Sequence, residues 1–290
     1  MKPKLHSTRE AEILELSSFI ASEDSTVGRV SPTRICNEKG IAIVHNGYGA
    51  EKFDGMLVLR GDSWVILCNV DRGNTPGSSR ERFTIAHELG HYHIPEHRKA
   101  LIAGCRSHGS YAGAFDGAHS IEELEADTFA ANLLMPVERF VPKLTGTKQT
   151  PLVTVRALRK EFETSWETTA IQAMRHDPRI ITIAKWTNDA FAWHRISEPA
   201  FRVGGYRSFQ LRDINALPRD CATTLALKDP ESEGEGEIRS NAVTAKHCFG
   251  RVAAGEKRDI LILEEAVKNG RFGVLSVFSV MEEPKNGSRR

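Results

Sequence analysis

Residues Arg80 to His97, RERFTIAHELGHYHIPEH, carry four of the chain's eleven histidines. His87 and His91 are four residues apart, one helical turn, so both imidazoles can leave the same face and meet one ion. A hydrolytic zinc needs three protein ligands and an open position for water. His87 and His91 would supply two of the three. Glu88, between them, is placed to take a proton from that water. The spacing alone is a weak signal, because composition produces HExxH in roughly a few per cent of chains of this size. By itself the stretch reads as well as a surface helix with satisfied histidines.

A second stretch, IEELEAD at residues 121–127, supplies carboxylates at helical spacing. Glu123 and Asp127 lie four apart on one face. Zinc peptidases of the glutamate-ligand class pair a ligand Glu with an Asp one turn later, and the Asp accepts the N–H of a ligand histidine. Glu122 is a poorer ligand choice, since Ala126 one turn on orients nothing. Glu125 is the rival, but Phe129 one turn on accepts no hydrogen bond. The plain alternative is an acidic, solvated helix face. Two matched helices together favour a site for zinc (Zn2+) over that alternative.

Those side chains need elements to hold them. Ser78 or Ser79 can cap the first ligand helix, and Ser120 caps the second, which Pro136 ends. Residues 7–22 are predicted to form an amphipathic helix. GIAIVHNGYG and FDGMLVLRGDSWVILCNVD read as short strands, with Gly61-Asp62 a turn between two of them. Residues 99–120, rich in Gly, Ser and His, read as a loop. A further helical region closes the first half at Pro178. RIITIAKW, AFAWHRIS, RDILILEEAV and RFGVLSVFSV read as strands. The acidic segment DPESEGEGE is expected to be a mobile loop, and the tail EEPKNGSRR to be disordered. The expected fold class is therefore mixed α/β (α+β). One domain spans residues 1–178, with a helix-turn-helix-like segment at about 151–178, and a smaller α/β domain spans residues 179–290.

Bulk properties narrow the function class. The formal net charge is +1 over 290 residues, so no whole-chain attraction to nucleic acid or membrane follows. No stretch has the length and apolarity to span a bilayer, and the N-terminus lacks the apolar core of a signal peptide. Five scattered cysteines without a CxxC pair fit reduced thiols in a cytoplasm.

RERFTIAHELGH and EELEADTFAANLLMP resemble the two signatures of the ImmA/IrrE family of metallopeptidases, over roughly residues 30–145. The resemblance implies a zincin-like domain followed by a GAF-like sensor domain. It places the ligand Glu at Glu123. It also implies an endopeptidase that cleaves a helix-turn-helix repressor in response to a stress signal and so derepresses its operon. The layout is similar both to the radiation-response branch and to the peptidases that accompany CBASS anti-phage operons, and the residues do not choose between them. A non-catalytic sensor or regulatory binding protein with a structural zinc is the alternative. Glu88 speaks against it, since a structural site has no use for a general base.

Four further features invite a role. Tyr92, His93, His97, His108 and Tyr111 are candidates to steady the oxyanion. Cys105, between the ligand helices, could fill the fourth zinc position as an inhibitory thiolate, or could be an ordinary free thiol. LRKEFETSWETTAIQAMRH could touch DNA through Arg159, Lys160 and Arg175. Its glutamates Glu161, Glu163 and Glu167 oppose that, and favour a helix pair that packs against the peptidase. In the C-terminal half, Arg202, Arg207, Arg212, Arg219, Arg239, Lys246 and Arg251 interleave with Phe201, Tyr206, Phe209 and Phe249. That pattern suits single-stranded DNA as an activator. The same rings would equally fill a core.

Overall fold

The computed structural model describes residues 5–24, 29–104, 120–203, 206, 208–230, 236–250 and 260–281. The chain divides into two units, residues 1–142 with 159–165, and residues 143–158 with 166–290. The first contains α1 (Ser7–Glu23), α2 (Pro32–Glu38), β1 (Ala42–Asn46), β2 (Gly55–Arg60), β3 (Ser63–Asn69), α3 (Ser79–His93), α4 (Pro95–Ile102) and α5 (Ile121–Leu134). The boundary between units passes through α6 (Val137–Thr145) and α7 (Pro151–Phe162). The second contains α8 (Trp166–His176), β4 (Ile180–Trp186), β5 (Phe191–Ile196), α9 (Glu198–Val203), α10 (Ala222–Lys228), β6 (Ile238–Thr244), α11 (Ala245–Phe249), β7 (Leu261–Lys268) and β8 (Val274–Val280). None of the described helices is long and apolar enough to cross a membrane.

In the first unit β3 is central, parallel to β1 and antiparallel to β2. Gly61, at φ +58°, opens the two-residue turn between β2 and β3. A tight hairpin needs that left-handed position, and glycine takes it without a Cβ clash. Ile66, Ile85, Leu89, Phe129 and Leu133 form the centre of a core between the sheet, α3 and α5, which Ile13 and Ile20 of α1 complete. Each such side chain contributes about 1.5–3 kcal/mol on burial. Asn132 ties α5 to α1, its amide reaching Leu14 O, Ser17 Oγ and Ser18 Oγ.

The start of α3 is fixed from both sides. Ser78 Oγ accepts from Glu81 N, and the Glu81 carboxylate returns to Gly77 N at 2.6 Å and to His45 Nε2 at 2.6 Å. The first bond satisfies an orphan donor of the first turn, and the other two tie that turn to the residue before the cap and to β1. Asp54, fully buried, pairs with Arg80 at 2.6 Å and with Arg72 at 3.1 Å. Ser120 caps α5 by accepting from Glu123 N, and α5 stops at Met135, before Pro136. α4 reaches four residues into the stretch that the sequence presents as a loop from Lys99. Pro95 starts it at a first-turn position, where a missing N–H costs nothing.

In the second unit a five-stranded antiparallel sheet runs in the order β5-β4-β8-β7-β6. Glu264 and Glu265, adjacent on β7, point to opposite faces. Glu264 accepts from Ala222 N, Thr223 N and Thr223 Oγ1, the opening of α10. Glu265 accepts from Leu152 N and the Thr150 hydroxyl, the opening of α7. Burial raises the Glu265 pKa, and those two bonds pull it back. α8 buries Trp166, Ala170 and Ile171, and its Glu167 pairs with Lys185 of β4 at 2.5 Å.

Tyr206, Phe209 and Phe249 are buried in the core of this unit with Trp186 and Phe278. They therefore offer no open ring face for a base, and of the four interleaved aromatics only Phe201 is exposed, at 52%. Arg207, Arg251, residues 231–235 of the acidic segment and the tail 282–290 lie outside the described residues.

Removing the Glu264 carboxylate strands two buried backbone donors, Ala222 N and Thr223 N, each worth about 1–3 kcal/mol when left unmet, while the Thr223 hydroxyl can still turn to Ser276 Oγ. Glu264→Ala is expected to lower the unfolding free energy by about 3 kcal/mol or more, and Glu264→Gln by less. Chemical denaturation followed by circular dichroism measures both. Equal midpoints for Glu264→Ala and the parent chain would show that the clamp does not bear on stability.

Candidate metal centre

The face of α3 that carries His87 and His91 lies against α5, and the two helices touch closely. A Cβ on Gly90 would stand 3.1 Å from Ala126 Cα and 3.3 Å from Ala126 O. Glycine here and alanine opposite let the backbones approach, and this brings side chains from both helices to one point. His87 and His91 are both 4% exposed. Their Nε2 atoms lie 3.1 Å apart. Glu123 Oε2 is 3.2 Å from His87 Nε2, and Glu123 Oε1 is 3.5 Å from His91 Nε2.

The other ring nitrogens are engaged. His87 Nδ1 lies 2.9 Å from Asp127 Oδ1. His91 Nδ1 lies 3.1 Å from His97 Nδ1, and His97 Nε2 lies 3.0 Å from Glu125 Oε2. Burial alone would push the His87 pKa down, but Asp127 and Glu123 hold it well above its ordinary value. Burial works against the charge of Glu123 too, yet His87 and His91 hold its pKa far below the carboxylate range.

A cation suits this arrangement. Asp127 engages His87 Nδ1, so Nε2 is the nitrogen turned to Glu123, where without a metal a proton sits and from which a metal cation would displace it. Glu123 Oε1 is buried, and among the described residues it accepts no hydrogen bond, with His91 Nε2 3.5 Å away. Lone pairs converging at about 3 Å repel unless a positive centre sits among them. Ligands 2.0–2.1 Å from a tetrahedral zinc stand about 3.3–3.4 Å apart. The separations of 3.1, 3.2 and 3.5 Å bracket that value. His87, His91 and Glu123 are a candidate metal-holding group among the described residues.

Glu88 is fully buried on the same helix. Glu125, the rival ligand, is turned away from the centre and held by His97 and Arg9. Of the expected oxyanion donors, His97 is engaged at both nitrogens. Tyr92 packs edge-on against Trp64 beneath the Arg98 guanidinium. His93 stacks on Phe129, and burial lowers its pKa to about 4. Cys105, His108 and Tyr111 lie outside the described residues. Sequence reasoning missed Arg9 and gave His97 a different role. The signal available was a further histidine six residues beyond His91, with Glu125 left over beside Glu123.

Residues 36–174 match the family model described as the IrrE N-terminal-like domain of peptidase M78. No curated protein matches the chain significantly. Among solved structures, the chain is similar to a Mycobacterium tuberculosis transcriptional regulator, at 14% identity and a TM-score of 0.56, over 94% of this chain and 78% of that one. At that identity the likeness is one of fold.

A methyl group at Gly90 must push α3 from α5. Gly90→Ala is expected to lower stability by about 1–3 kcal/mol, the usual cost of overpacking. Thermal unfolding of the metal-free protein measures it. An unchanged midpoint would show that the two helices do not meet at this glycine.

Proposed function

We propose, from the IrrE N-terminal-like domain matched over residues 36–174, that the chain is a zinc-dependent endopeptidase of the ImmA/IrrE kind. Its substrate in this reading is a helix-turn-helix repressor, cut in response to a stress signal. The observation that carries the reading is the convergence of His87 Nε2, His91 Nε2 and the Glu123 carboxylate, with Glu88 on the same helix. These three side chains would hold the zinc. When bound, zinc polarises the scissile carbonyl and eases ionisation of water. Glu88 takes the proton from that water and returns it to the leaving amine. Asp127 fixes the ring of His87 so that Nε2 faces the centre. β2 is an edge strand that pairs only with β3 among the described residues, and an extended substrate segment can add to it through main-chain hydrogen bonds.

The second unit, with its own antiparallel sheet, is proposed as the GAF-like sensor. The burial of Tyr206, Phe209 and Phe249 weakens the case for single-stranded DNA as its ligand. Cys105 is proposed as an inhibitory fourth ligand that leaves when the signal arrives. The intact Glu88 favours catalysis over a merely structural zinc.

Three measurements test the reading. Purified protein is expected to hold about one zinc per chain. Glu123→Ala is expected to lose that metal, and Asp127→Ala to weaken binding by about 10–100-fold. Metal loss in Glu125→Ala with none in Glu123→Ala would show that Glu123 is the wrong carboxylate. Co-expression with a candidate helix-turn-helix repressor is expected to yield a cleaved band. Glu88→Gln is expected to keep the zinc and slow cleavage by at least about 10²-fold; cleavage at the parental rate would remove the general base. Cys105→Ala is expected to cleave without any signal, and a variant as quiet as the parent would end the switch.

A further inference from the structure

Among the described residues, His91 has no carboxylate neighbour at Nδ1 of the kind His87 has. Its Nδ1 faces another imidazole, His97, at 3.1 Å. Two ring nitrogens at that distance share one proton, and the rest of the chain of contacts decides which ring carries it. Glu125 receives Arg9 Nε on one oxygen and Arg9 Nη2 on the other, both at 2.9 Å. Such a carboxylate has only lone pairs to offer His97 Nε2, 3.0 Å away. His97 must therefore donate through Nε2. An imidazole that donates at one nitrogen accepts at the other, so His97 Nδ1 accepts from His91 Nδ1. That leaves the His91 Nε2 lone pair facing His87 and Glu123. His97 and Glu125 are both 5% exposed, so water does not compete for these bonds.

We propose that Arg9, Glu125 and His97 are positioning residues that fix the tautomer and ring orientation of His91, so that the metal centre extends through three links to α1. The proposal rests on the metal reading of His87, His91 and Glu123 given above. The guanidinium of Arg9 is itself held by Glu96 at 3.0 Å and Glu12 at 3.2 Å. Asn132 anchors the same helix further along. The placement of α1 on α5 thereby becomes part of the ligand geometry.

The test uses the full chain with two readouts. Long-range proton–nitrogen spectra of the metal-free, ¹⁵N-histidine protein report which nitrogen of His91 carries the proton. Zinc affinity is read by competition with a chelator. In the parent chain His91 is expected to be protonated at Nδ1. His97→Phe keeps a ring but offers no acceptor. It is expected to mix the His91 tautomers and weaken zinc binding by about 10–100-fold, the loss typical of an outer partner. His97→Gln offers a carbonyl to His91 and an amide to Glu125, and is expected to recover most of that loss. Arg9→Met, at the partly exposed end, is expected to cost about tenfold, at the low end of the same range, and serves if His97→Phe does not fold. A His97→Phe protein with the parental melting temperature, parental zinc affinity and an unchanged His91 tautomer would overturn the proposal. A parent chain that binds no zinc would sink the metal reading instead. The spectra would then decide alone, and a His91 protonated at Nε2 would overturn the positioning chain.

Discussion

The close approach of α3 to α5 is the constraint on which the site depends. Each helix contributes part of the centre, and neither carries enough alone. His87 and His91 come from α3, and Glu123 and Asp127 from α5. Gly90 against Ala126 sets the helix separation, and the core around Ile85, Leu89, Phe129 and Leu133 holds it. Two imidazoles and a carboxylate buried together are costly to assemble, and without a metal the proton held on His87 offsets only part of that cost. The packing energy of the core keeps them together until a cation can offset that cost.

The two histidines are oriented by different means. His87 meets a carboxylate from the facing helix directly. His91 meets a ring from α4, then a carboxylate from α5, then a guanidinium from α1. Four helices thus converge on two imidazoles. The second unit builds its own core in a comparable way, with Glu264 and Glu265 on one strand capping helices on opposite faces of its sheet.

Local features were the ones legible in the sequence. The four-residue spacings of His87 with His91 and of Glu123 with Asp127 put each pair on one helix face. Ser78, Ser120 and Pro136 mark helix ends by their own hydrogen bonding and sterics, and Gly61 marks a turn by its missing Cβ. Partnerships across the fold were not legible. Arg9 and Glu125 are 116 residues apart, and no periodicity links them. The rings of the C-terminal half show the same limit. A pattern of cations and aromatics is alike whether the rings face solvent or the core, and only the packing of Phe209 and Phe249 against Trp186 and Phe278 decides it. Short elements such as α4, α9 and α11 carry too few turns for a periodic signal.

The central claim is that two imidazoles and a carboxylate hold one zinc. X-ray absorption at the zinc edge of the loaded protein tests it most directly. Light scatterers at about 2.0–2.2 Å are expected, with the outer-shell pattern of two imidazoles, falling to one in His91→Ala. A spectrum without imidazole scattering, or one unaltered in His91→Ala, would contradict the account.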